Sequence, residues 1–106
     1  MKELILFYVP VPDEATARAL TGGALKARLA ACGNILGPVT SLYEWKGEMC
    51  DGPEHVLVLK TPADREEALA EWLEREHPYE CPCVARRTER VNDAFYDWVV
   101  EQTRSG

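Results

Sequence analysis

Long apolar runs are missing from this chain. The longest near its start, Leu4–Val9, has six residues. A membrane span needs about eighteen or more, and an export signal has a longer apolar core with positive charge ahead of it, where Glu3 stands here. The expectation is a cytoplasmic protein with no membrane partner. Basic residues are also few: twelve Lys and Arg face eighteen Asp and Glu, for a net charge of −6. Nucleic-acid binding needs a concentrated basic surface, so no nucleic-acid partner is expected. Histidine occurs only at His55 and His77. There is no G-x-S-x-G, Walker loop, H-E-x-x-H or C-x-x-C. The expectation is a protein that is not an enzyme, although a cysteine–histidine pair meeting in space stays open at this point. Repeats and low-complexity tracts are lacking too.

What is present suits one globular domain spanning residues 1–106, with 46% apolar and 28% charged residues. A chain of this size hides only about two-thirds of the surface of its unfolded form and holds one core. Four cysteines lie at 32, 50, 81 and 83. Without an export signal they read as free thiols.

Residues 2–9, KELILFYV, predict a strand with apolar side chains on both faces. Asp13 caps a helix over about 13–31. Leu20, Ala24, Ala27 and Ala31 line one side of it, and Gly22-Gly23 sits in its middle. Gly33 is placed to end it in a left-handed conformation. From Val39 to Gly47 a strand alternates, with Ser41, Tyr43 and Trp45 on one face and Leu42, Glu44 and Lys46 on the other. Residues 47–53 read as a polar turn and His55–Thr61 as the returning strand of a long hairpin. Thr61 and Pro62 open a second helix with a buried stripe of Leu69, Trp72 and Leu73. Pro78 stops it, just after His77 in its last turn. Residues 81–88 predict an edge strand, and Asn92 caps a final helix with Phe95, Trp98, Val99 and Gln102 inward.

The order β-α-β-β-α-β plus a C-terminal helix predicts an α+β, ferredoxin-like fold: an antiparallel four-stranded sheet with two helices on one face. Those helices cannot cover both apolar faces of the first strand. One further helix covers little, so a homo-oligomer is expected.

Several side chains could carry chemistry. Cys32 is either a soft-metal ligand or a small buried hydrophobe. Cys81 and Cys83, two apart on the expected strand, point to one face, either as a soft-metal pair or as two packed thiols. His77 could ligate a metal with Glu80 nearby, or simply end its helix. Tyr43, Trp45 and Tyr79 could line a cleft between subunits or serve as packing, and Asn34 adds an amide beside Cys32. His55 reads as a surface residue, and Glu44, Glu48, Asp51 and Glu54 as a solvated acidic hairpin. Arg86, Arg87 and Arg90 form the one basic cluster, fit for an anion or for blunting an edge strand.

The segments LAACGNILGPVTSLYEWKGE (29–48), VLVLKT (56–61), HPYECP (77–82) and NDAFYDWV (92–99) resemble the CutA family of divalent-cation tolerance proteins, as does PDEATARAL (12–20). The resemblance covers nearly the whole chain in the right order. It implies a ferredoxin-like homotrimer with sheets packed around a threefold axis. It also implies a non-enzymatic role in binding or tolerating copper or other divalent metal ions. The implied ligands are drawn from Cys32, His77, Glu80, Cys81 and Cys83, with Asn34, Tyr43, Trp45 and Tyr79 in the intersubunit cleft. The family's likeness to PII-type signalling trimers supplies the alternative, a module that binds a small anion or a partner protein in those clefts. Four departures stand out. Cys83 replaces the family's usual acidic residue, and Cys81 an aliphatic or small one. Val9 stands where some relatives carry a cysteine, and Ala85-Arg86-Arg87-Thr88 where an aliphatic-proline segment is common.

Overall fold

The computed structural model describes residues 2–104. Strand β1 (Lys2–Val11) leads into helix α1 (Glu14–Lys26), then strands β2 (Cys32–Trp45) and β3 (Glu48–Thr61). Helix α2 (Glu66–Glu76), strand β4 (Ala85–Val91) and helix α3 (Asp93–Thr103) complete the order. The four strands form one sheet in the order β2-β3-β1-β4, with every neighbouring pair antiparallel. This is the expected ferredoxin-like arrangement with its extra helix.

Alternation along the strands divides the core. Ile5, Phe7, Val9 and Val11 join Leu57 and Leu59 under α1 and α2, against Ala17, Leu20, Ala24, Leu69 and Leu73. Leu4 points to the other face and packs with Ala31 and Val99 beneath α3. There α3 covers only part of the sheet: Tyr8 and Leu36 remain exposed, Leu6 and Val58 half-buried. The second apolar face read from the sequence is therefore real.

Asp13 caps α1 as expected, accepting from the Thr16 N–H at 2.7 Å. The helix stops earlier than about residue 31, and Gly33 does not end it. Arg28 takes the left-handed conformation, at φ 61°. The Leu29 N–H bonds to the Ala24 carbonyl at 2.9 Å and the Arg28 N–H to Leu25 at 3.1 Å, the paired closure of a Schellman motif. Arg28 also reaches the Gln102 carbonyl at 3.0 Å, tying this corner to α3. Gly33 instead lies in β2, where a Cβ would stand 2.8 Å from Thr21 and 2.9 Å from Leu59. Its missing side chain lets α1 approach the sheet.

Of the 47–53 segment expected as a turn, residues 48–53 are strand. Lys46 and Gly47, at φ 51° and 82°, alone make the hairpin turn, in the left-handed geometry that two-residue hairpins favour. Tyr43 then pairs with Cys50 and Trp45 with Glu48. A register shift between Leu36 and Val39, at the cis Gly37-Pro38 bond, separates this outer hairpin from the part paired with β1. The radius of gyration is 14.5 Å, against about 13 Å for a compact chain of this length. The projecting hairpin makes the difference.

Three further expectations are corrected. Thr61 stays in β3 opposite Ile5 and gives its hydroxyl to the Leu29 carbonyl at 2.6 Å, so it does not cap α2. A 3₁₀ turn at Ala63–Arg65 intervenes. Cys81 and Cys83 lie in the irregular stretch before β4, not on a strand. In α3 the buried side chains are Val99 and Thr103, and Trp98 is 45% exposed and stacks on Phe95; Asn92 holds the N-cap position as expected, without a side-chain cap bond.

Candidate functional site

After α2 the chain must return to β4, and His77 fixes how it does so. Its N–H closes the helix on the Leu73 carbonyl at 2.9 Å. The ring is buried. Nδ1 accepts from the Tyr79 N–H at 3.1 Å, which assigns the proton to Nε2, 2.8 Å from the Pro10 carbonyl. The Tyr79 ring packs 4.7 Å from the imidazole, and its hydroxyl donates to Glu54 at 2.7 Å. Burial, then the Glu54 hydrogen bond and charge, hold the Tyr79 proton well above the ordinary phenol range. The irregular segment is thus pinned at Pro10 and Glu54, where β1 ends and the hairpin begins to project.

A cavity of about 390 Å³ opens there. It is lined by Pro10, by Tyr43, Trp45 and Glu54 of the hairpin, and by Tyr79, Glu80, Cys81 and Cys83 of the irregular segment. Lys46 at the hairpin turn lies 3.7 Å from Glu80 and 5.6 Å from the Trp45 ring. Cys81 and Cys83 are exposed and all four cysteines are free. Among the described residues no three His, Cys, Asp or Glu side chains converge as a ready metal cage.

The structure brings six of the nine candidate residues together: Glu80, Cys81 and Cys83 with Tyr43, Trp45 and Tyr79. Three are elsewhere or occupied. Cys32 sits in a cross-strand row with Lys60, Leu6 and Arg87; from Leu6 to Pro10 is about 13 Å along β1. Burial pushes its thiol pKa up, against a smaller opposing pull from Lys60. That disfavours the thiolate a metal needs. Asn34 accepts a hydrogen bond from Lys60 on the same sheet face. His77 spends both ring nitrogens on the backbone.

His55 is not a plain surface residue. Its ring packs over Gly37, where a Cβ would come within 3.0 Å, and its Nδ1 is buried without a partner. The arginine cluster is split by strand alternation. Arg86 lies 3.4 Å from both Glu66 and Glu67, while Arg87 pairs with Glu89 at 3.1 Å. Anion binding by that cluster loses its support. Sequence reasoning missed Pro10 in the cavity and the Lys46–Glu80 ion pair beside it, and left Glu54 in a solvated tip. The Lys46-Gly47 turn was the available signal. Placing it makes Glu54 pair with Val39, on the Tyr43 face.

The family model for the CutA1 divalent ion tolerance protein matches residues 5–102. A divalent-cation tolerance protein CutA of Thermus thermophilus is 36% identical over 97% of this chain and 99% of its own length. A Xenopus laevis CutA homolog is also 36% identical, over 87% of this chain but 62% of its own. Mouse and human relatives are matched over 56% and 55% of their lengths, so the chain spans little more than half of these vertebrate proteins. The crystal structure of divalent ion tolerance protein CutA1 from Ehrlichia chaffeensis superposes with a TM-score of 0.93, at 30% identity over 99% of both chains. Sequence and fold agree over nearly the whole chain, and the chain belongs to the CutA1 divalent ion tolerance family.

Proposed function

We propose that this chain is the subunit of a non-enzymatic homotrimer that binds divalent metal ions, copper among them, at the cavity between the β2–β3 hairpin and Tyr79–Cys83. The observation that supports the reading is that Glu80, Cys81 and Cys83 all line one cavity. Carboxylate and thiolate donors together suit borderline and soft ions. The net charge of −6 favours cation approach. The relatives' names refer to divalent-cation tolerance. The trimer is supported by the half-covered second face of the sheet, with Tyr8 and Leu36 exposed and α3 too small to hide it. Four free thiols suit a reducing compartment, so a cytoplasmic location is part of the proposal.

Titrating copper(II) and zinc(II) into the reduced protein tests it, beside a variant carrying Glu80→Gln, Cys81→Ser and Cys83→Ser. Binding tighter than about millimolar in the parent, lost in the variant, supports the reading. Equal binding in both, or none, removes it. Sedimentation equilibrium reads the trimer directly.

A further inference from the structure

The uncommitted donors at this cavity are sulfur. Glu54 accepts the Tyr79 hydroxyl at 2.7 Å, Glu80 faces the Lys46 ammonium at 3.7 Å, and His77 spends both nitrogens on backbone groups. Cys81 and Cys83 are exposed and line the same cavity. Pro82 lies between them in the irregular segment. Resting on the reading that the cavity takes a metal ion, we propose that Cys81 and Cys83 form a two-coordinate site for monovalent copper.

The spacing fits such a bridge. Cα atoms two residues apart are at most about 7 Å apart. Two in-line metal–thiolate bonds of zinc-like length, about 2.3 Å each, span about 4.6 Å. Two side chains leaning slightly inward close that difference. The ion class follows from the number of donors. Monovalent copper is soft, favours thiolates and is satisfied by two of them. Zinc wants four donors, and calcium or magnesium wants six or more oxygens. On binding, each thiol releases its proton to solvent and donates an electron pair to the ion. No electron changes hands, so a copper ion arriving as Cu(I) needs no oxidant or reductant. The site changes from neutral to singly negative. Lys46, held beside Glu80 next to Cys81, is placed to offset that charge.

The test uses the full reduced chain without oxygen, titrated with Cu(I) held by a chromophoric Cu(I) chelator and, separately, with zinc(II) and copper(II). The expected result is one Cu(I) per chain, with X-ray absorption counting two sulfur neighbours. Cys81→Ser and Cys83→Ser should each lose the ion, whereas Cys32→Ala and Cys50→Ala should keep it. Circular dichroism confirms that each variant is folded. Cu(I) retained by the Cys81→Ser/Cys83→Ser double variant, three or more sulfur neighbours, or loss on Cys50→Ala would each overturn the proposal. If Cu(I) fails to bind while a divalent ion still does, this inference falls and the cavity remains a metal site. If none binds, both readings fall together.

Discussion

The inner half of the sheet and its outer hairpin treat apolar side chains in opposite ways. Under α1 and α2, Phe7, Leu57, Leu59, Leu69 and Leu73 are fully buried. Beyond the Leu36/Val39 register shift, Leu42 is 72% and Met49 76% exposed, with Tyr43 and Trp45 half uncovered. Both halves are paired antiparallel strand, and backbone pairing continues to the Trp45–Glu48 pair. The difference lies in what covers the faces. Helices α1 and α2 close one face of the inner half within the chain, and α3 covers part of the other. The outer half gets only the irregular 78–84 segment on one side, and that leaves a cavity where a helix would leave a core.

The sharpest way to break this contrast is mutational. Phe7→Ala should cost about 3–5 kcal/mol in urea unfolding, whereas Leu42→Ala or Met49→Ala should change it by less than about 0.5 kcal/mol. Equal costs would mean that the hairpin is as well covered as the core. If the hairpin instead meets another copy, those two substitutions shift sedimentation towards smaller species.

The adjacent glycines of α1 give the next largest effect. A Cβ on Gly23 would sit 2.8 Å from the Trp72 ring of α2, while nothing lies within 4 Å of Gly22. Gly23→Ala should therefore destabilise by about 1–3 kcal/mol through overpacking against a rigid indole. Gly22→Ala should stabilise by about 0.5–1 kcal/mol through helix propensity alone. Thermal melting separates the two by sign.

At the cavity, Tyr79→Phe removes the hydroxyl from Glu54 and should cost about 1 kcal/mol. The raised Tyr79 pKa adds a pH signature. The folded state holds this proton more firmly than the unfolded chain, whose tyrosine titrates near about 10. The associated stability is complete below that pH and declines as pH rises above it. Spectrophotometric titration should find one phenol lagging the others, and none lagging in Tyr79→Phe. Smallest of all, Lys46→Ala removes an exposed 3.7 Å ion pair with Glu80 and should change stability by less than about 0.5 kcal/mol.

Periodicity and turn chemistry made the element order, both apolar faces of β1 and the Asp13 cap legible. They failed where tertiary contacts outweigh local preference. Arg28 takes a left-handed conformation usually given to glycine, and its guanidinium reaches Gln102 across the fold. Gly33 is glycine because a helix presses on it from another part of the chain. Thr61 looks like a cap until its hydroxyl finds Leu29. The cavity was half legible. Alternation put Tyr43 and Trp45 on one face, and Cys81-Pro82-Cys83 carried its own spacing. The roles of Pro10, Glu54 and His77 depend on contacts between residues 25 to 67 positions apart, which a linear pattern does not encode.

The most direct test of the account is an anomalous-difference map at the copper edge, from crystals of the reduced protein grown with copper. The account predicts a peak in the hairpin cavity, within bonding distance of the Cys81 and Cys83 sulfurs. A peak at Cys32 or Cys50, with that cavity empty, would contradict it.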